Sequence, residues 1–192
     1  MYKRQDLLTL EEYSSKREVL RSEVLSIKKD RLIQIGENVS LLFESMETIK
    51  SQVQEMLRIE KIFNKKEIQE EIDAYNPLIP DGTNLKATML IMFPDVEVRR
   101  EMLFKLHDIE NKVWLSSGDK KIMAYADEDL DRSTDEKTSA VHFLRFQLEQ
   151  DDIAEFISSS EVRIGVDHPE YNKEIVLDHI AKESLQGDLK TN

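Results

Sequence analysis

The sequence predicts an α+β fold, an antiparallel or mixed sheet of about six to seven strands with helices packed mainly on one face. Three observations predict it. Short apolar runs come in pairs around turn residues, at Gly36-Glu37-Asn38 and at Ser117-Gly118-Asp119, as hairpins do. Single helical stretches separate them, without the regular strand–helix–strand alternation of a parallel sheet. The chain of 192 residues is 40% apolar and 34% charged, enough to bury a core and too apolar to be disordered.

The elements follow in order. Thr9-Leu10-Glu11-Glu12 reads as a capping box, in which Thr9 accepts from the backbone three residues on and Glu12 reaches back. Leu8 and Tyr13 are spaced for a hydrophobic staple. A helix to about Lys29 carries Leu20, Val24 and Ile27 at helical spacing. Leu32–Ile35 and Val39–Phe43 form the first hairpin. A long helix runs from about Met46 to Phe63 and continues or restarts through Glu67 to Ala74. The segment Asn76 to Asn84, with Pro77, Pro80 and a Pro-Asp-Gly turn, ends it.

Leu85–Phe93 is a strand. The next helix opens at Pro94-Asp95, with Val98, Met102, Leu106, Ile109 and Val113 as its apolar stripe. Val113–Leu115 and Lys121–Ala126 make the second hairpin, and 127–136 is an acidic loop. Ala140–Leu148 is a strand, Asp151–Ile157 a short helix and Val162–Val166 a last strand. A closing helix spans Asn172–Leu185, stopped by Gly187. Residues 1–187 are expected to form one domain and residues 188–192 a flexible tail.

Charge and composition exclude several functions. The formal net charge is −12 and the pI about 4.9, so the average field repels nucleic acid and anionic membranes. Neither is expected as a partner. The absence of cysteine removes disulfides, thiolate nucleophiles and clusters or zinc held by Cys, and fits a reducing, cytoplasmic location. The N-terminus runs straight into a helix signal, without a signal peptide. The longest apolar run, Ala87–Phe93, is far short of the roughly 20 residues of a membrane span.

The acidic loop, with Asp127, Asp129 and Asp131, matches the first positions of a calcium loop. It fails at position six, Arg132, and at position twelve, Thr138. A solvated loop is the plainer reading. The same Asp-x-Asp faintly resembles a phosphoryl-transfer pair but lacks the glycine turn and parallel sheet. The five glycines form no phosphate loop and no Gly-x-Ser-x-Gly elbow.

Projected at about 100° per residue, Ile49, Val53, Met56, Leu57 and Phe63 cluster on one side of the long helix. Glu60 and Gln52 fall inside that arc. A carboxylate facing a core must be paired or hydrogen-bonded, so Glu60 is either a core bonding partner or a group in a pocket. His142 shares the apolar face of its strand with Leu144 and Phe146, while Arg145 shares the other face with Val141. His107 lies opposite its helix stripe, and His179 lies on the inner arc of the closing helix with Ile175 and Ile180. His168 follows a strand, beside Tyr171. The candidate constellation is Glu60 with His142, joined by His168 or Tyr171, since carboxylate plus imidazole binds Fe, Mn or Zn. No local metal-binding spacing supports it, so no metal is expected, and no cofactor is identified. Gln52, Asn76, Asp81 and Arg145 complete the candidate binding residues.

Several segments together carry a resemblance: Gln52 to Glu60, Asp73 to Gly82, Ala126 to Leu130, Glu136 to Phe146, and Ile164-Gly165-Val166-Asp167-His168-Pro169. They resemble an uncharacterised bacterial family known only as a domain of unknown function, over about Leu7 to Tyr171. The resemblance implies genes often beside those for rubrerythrin-like and iron–sulfur oxidoreductase proteins, hence a role near peroxide defence or iron redox metabolism. It assigns no catalytic residue. Three readings result. The first is a non-enzymatic accessory or interaction protein of bacterial redox or oxidative-stress metabolism, with a protein partner there. The second is a small-molecule or metal-dependent enzyme with a pocket around Glu60 and His142. The third is a structural or regulatory homodimer, which charge and composition permit.

Overall fold

A computed structural model describes residues 1–126, 128 and 137–190. The acidic loop, and with it the calcium-loop reading, lies outside the described residues apart from Glu128.

The α+β class holds, with every strand pair antiparallel. The described residues form nine strands in two sheets rather than six or seven in one. The larger sheet has the order β1-β2-β3-β7-β6, from β1 (Leu32–Ile35), β2 (Val39–Phe43), β3 (Asn84–Ile91), β7 (Val141–Gln147) and β6 (Tyr125–Ala126). The smaller has the order β5-β4-β8-β9, from β5 (Lys121–Met123), β4 (Val113–Ser116), β8 (Arg163–His168) and β9 (Tyr171–Val176). One apolar cluster joins the sheets: Ile35, Leu41, Phe43, Met89 and Phe146 from the larger, Leu115, Ile164 and Val166 from the smaller. Phe43 and Phe146 stack at 5.9 Å.

Among the described residues, six α-helices surround the sheets. α1 (Leu10–Arg31) starts at the predicted capping box, with Thr9 Oγ1 accepting from Glu12 N and Glu12 accepting from Thr9 N. α2 (Met46–Ile59) and α3 (Lys65–Tyr75) build a second apolar cluster with the N-terminal segment, through Tyr2, Ile49, Val53, Leu57, Ile72 and Ile79. α4 (Val96–Lys105), α5 (Gln150–Ser158) and α6 (His179–Gln186) complete the set. No described helix is long and apolar enough to cross a membrane.

Three predicted helices change length. α2 stops at Ile59, because Lys61 takes the left-handed conformation (φ 54°) and breaks the hydrogen-bond ladder. α4 stops at Lys105. Left-handed Asp108 (φ 68°) turns the chain, Ile109–Lys112 is a 3-10 turn, and Val113 enters β4. The predicted closing helix divides: Tyr171–Val176 is strand β9, paired with β8 from His168↔Tyr171 to Arg163↔Val176, and α6 begins at a new cap where Asp178 accepts from Ala181 N. His179, expected on an inner arc, has a side chain 88% exposed. Three residues placed in the expected tail are packed or bonded. Asp188 pairs with Arg31, Leu189 is buried, and Lys190 N bonds the Gly82 carbonyl.

Candidate functional site

Strand alternation decides which side chains meet. Along β3, Leu85, Ala87, Met89 and Ile91 point into the inter-sheet core, and Lys86 and Thr88 point outward. Arg145 and Phe143 of β7 stand opposite Lys86 and Thr88. Tyr125 of β6 stands opposite Arg145 on the other side. Glu44, just past β2, continues the row, its backbone N–H donating to the Lys86 carbonyl. The row Glu44–Lys86–Arg145–Tyr125 therefore crosses four neighbouring strands. The end of α3 and the turn after it (Ala74, Pro77, Leu78) close over part of it, leaving a pocket of about 110 Å³.

Glu44 is the buried centre of this site, 2% exposed. Its carboxylate accepts from Thr88 Oγ1 at 2.7 Å and from Thr48 Oγ1 at 2.6 Å. Gln52 Nε2 reaches both oxygens at 3.4 Å. No described cation lies within ion-pair distance of it. Arg145 donates to both Glu128 oxygens at 2.6 Å and to Gln147 Oε1 at 2.6 Å, and stacks 4.6 Å from the Tyr125 ring. Glu128 holds the Arg145 pKa up, and the Glu128 carboxyl is held down in return. Of the predicted residues, Gln52 and Arg145 thus belong to this site.

The others go elsewhere. Glu60 caps the end of α2 and is solvent-exposed, because the helix on which it was projected ends before it. His142 is 0% exposed and faces the core of the large sheet. The pair Glu60–His142 is not assembled. His142 Nε2 instead lies 2.7 Å from Thr138 Oγ1 and 3.0 Å from the Ser139 carbonyl, and Thr138 Oγ1 donates to Glu110 Oε2 at 2.8 Å. The Thr hydroxyl has one proton, already given to an acceptor-only carboxylate, so His142 Nε2 carries its own hydrogen and donates. This chain fastens the strand's approach to the 3-10 turn at Glu110.

His168 is buried, with Nε2 on the His107 carbonyl at 3.0 Å and Nδ1 accepting from Glu170 N. His107 itself is exposed, as expected. Tyr171 donates to the Ile35 carbonyl at 2.6 Å and accepts from Asn38 N and Val39 N, pinning the first hairpin. Gly36 sits in that turn at φ +68°, where a Cβ would meet the Tyr171 hydroxyl at 2.6 Å. Asn76 bonds both backbone groups of Tyr2. Asp81 accepts from Thr83 N and Oγ1, and its pKa is lowered although burial opposes those bonds. Among the described residues, no group of three or more His, Asp or Glu side chains is placed to hold a metal.

Sequence reasoning missed Glu44 and Thr88. The available signal was the alternation of β3, which puts Thr88 on the outer face; Glu44 lies between two elements, where no periodicity applies.

A second cleft, about 790 Å³, lies between the N-terminal segment, the end of α2 and the start of α3. Leu7, Leu10, Leu57, Ile62, Phe63 and Ile68 give it an apolar lining, and its charged lining residues are Lys3 and Arg4. Phe63 is 71% exposed.

The profile of a family described as proteins of unknown function, DUF3501, matches residues 2–189. The chain belongs to this family. The match extends past Tyr171, where the resemblance was expected to end, so β9 and α6 are part of the DUF3501 fold. A solved structure, described as a novel protein of unknown function from Burkholderia pseudomallei K96243, is 46% identical to this DUF3501 chain. It covers 98% of this chain and 99% of its own, with a TM-score of 0.92. No curated protein matches.

Proposed function

We propose that the protein is a non-enzymatic interaction protein of bacterial redox or oxidative-stress metabolism, docking a partner at the cleft between the N-terminal segment and α2–α3. The observation that carries the reading is the cleft's chemistry. Its lining is apolar, Phe63 stands out of it, and its charged residues are cationic in a chain of net charge −12. Exposed aromatic anchors with a charged rim are the usual energetic centres of interfaces. The fitting occupant is a partner segment with apolar side chains flanked by carboxylates. The redox assignment rests on the gene neighbourhood that the family resemblance implies. The setting proposed is the cytoplasm, where a cysteine-free chain is indifferent to reducing conditions.

The test is co-purification from the native host with tagged wild type, Phe63→Asp and Arg4→Glu. An oxidoreductase should be retained by wild type and lost from Phe63→Asp, whose melting temperature should not change. Loss of one aromatic anchor corresponds to about 2 kcal/mol, roughly thirtyfold in Kd. Equal retention by the variants, or no redox protein on wild type, refutes the reading.

A further inference from the structure

The cleft between the N-terminal segment and α2–α3 also constrains the form of its occupant, an inference that rests on the docking reading. Charge is distributed unevenly around it. Residues 1–5 and 61–66 together hold five of the chain's 27 Lys and Arg residues and none of its 39 Asp and Glu. The two stretches form the banks of the cleft: Lys3 and Arg4 on one side, Lys61, Lys65 and Lys66 around the α2–α3 turn on the other, all exposed. Among the described residues Lys3, Arg4, Lys61 and Lys65 form no salt bridge, and Lys66 reaches Glu70 at 3.5 Å with both side chains open to solvent. Between the banks the lining is apolar, with Phe63 at its rim.

The backbone along the cleft offers an extended segment little to pair with. No described strand lines it. Lys3 N donates to Asp6 Oδ2, and the Lys3 and Arg4 carbonyls accept from Asp6 N and Leu7 N. Leu8 uses both its backbone groups on the Gln54 amide, and Ile62 N donates to the Leu57 carbonyl. An extended peptide laid on this lining would bury N–H and C=O groups without partners. A helix brings its backbone hydrogen bonds with it. The volume of about 790 Å³ leaves about 200 Å³ for each of the four anchors, i, i+3, i+4 and i+7, of a groove-bound helix.

The chain's own helices do not fit. α5 is acidic, with Asp151, Asp152 and Glu155, but its Ile153 and Phe156 are locked in the core. α4 exposes Val96, Val98 and Phe104, but it carries Arg99, Arg100 and Lys105 against Glu97 and Glu101, the wrong sign for cationic banks. We infer that the cleft receives an amphipathic α-helix of a partner protein. Its apolar stripe lies on Leu57, Ile62, Phe63 and Ile68, and carboxylates on both flanks of the stripe face the two cationic banks.

The test is a fluorescence-anisotropy titration of the full chain against three labelled peptides of about 18 residues, long enough to hold a helix. The first has Leu at i, i+3, i+4 and i+7 spacing with Glu and Ala elsewhere. The second has Lys for every Glu, and the third is the first with a central proline. The Glu peptide should bind, and the Lys and proline peptides should bind about tenfold more weakly or worse. The double variant Arg4→Glu, Lys65→Glu should keep the wild-type melting temperature, bind the Glu peptide about tenfold more weakly and lose most of the salt dependence. No binding of the Glu peptide, or equal binding of the Lys or proline peptide, overturns the helical acidic occupant. Equal binding of the Glu peptide by the double variant does so too. The docking reading fails separately, when tagged wild type and Phe63→Asp retain the same proteins from the native host.

Discussion

Arg31 and Glu44 are neighbours, 3% and 2% exposed, and the Arg31 guanidinium donates to the Glu44 backbone carbonyl. Their surroundings differ. Arg31 uses all five N–H groups, on the carbonyls of Phe43, Glu44 and Ser184, the Ser184 hydroxyl and the Asp188 carboxylate. It is a closed clamp that ties the end of α6 to the β2–α2 junction. Glu44 is held by neutral donors only and faces a pocket. Burial of an ionisable side chain therefore does not mark a site.

Removing the closed clamp should cost the most. Arg31→Ala leaves three carbonyls and a carboxylate without their donor, and should destabilise by about 4 kcal/mol. The melting temperature should fall by roughly 10 °C in calorimetry; a fall of a degree or two would break the comparison. Tyr171→Phe tests a second closed cluster. It removes the hydroxyl that satisfies Ile35 O, Asn38 N and Val39 N, and urea unfolding should show a loss of about 2 kcal/mol. Glu44→Gln should be milder, about 1 kcal/mol, because an amide oxygen still accepts from one threonine and the charge burial is relieved. If it costs as much as Arg31→Ala, Glu44 is a clamp too.

The smallest effect is expected at the partly open network of Glu55, which bonds Arg17, Tyr13 and Arg58 between α1 and α2. Arg17 in first place, then Tyr13 and Arg58, holds the Glu55 carboxyl down at about 2, against a burial effect of opposite sign. The folded pKa lies below the unfolded one, so this stabilisation is present above pH ~4.5 and is lost as the pH falls toward 2. After solvent screening it amounts to roughly 1 kcal/mol. In Glu55→Gln, the stability difference from wild type should shrink between pH ~4.5 and 2; a constant difference would show that the charge contributes nothing.

Asp188 differs from both. Burial raises its carboxyl pKa despite the adjacent Arg31 guanidinium. The salt bridge there closes the clamp geometrically while its desolvation opposes it.

The sequence by itself determined the elements whose signals are local. The capping box at Thr9 and the Leu32–Ile35 and Val39–Phe43 hairpin appear with the predicted bounds, because a cap and a short turn are decided by residues that touch along the chain. The inward face of β7, with His142, Leu144 and Phe146, was also legible from period-two alternation. β9 was not. Its residues Asn172, Lys173 and Glu174 are exposed, so it carries no alternation, and only pairing with β8 makes it a strand. Glu60 was misplaced for a related reason. A helical projection says nothing about where the helix ends, and left-handed Lys61 ended it one turn early. Only the tertiary structure decided which polar residues meet. Thr48, Gln52 and Thr88 converge on Glu44 from α2 and β3, and the two cations line up with it across β3 and β7. Strand order and register bring these groups together across up to about 100 positions of chain, and no spacing in the sequence encodes that meeting.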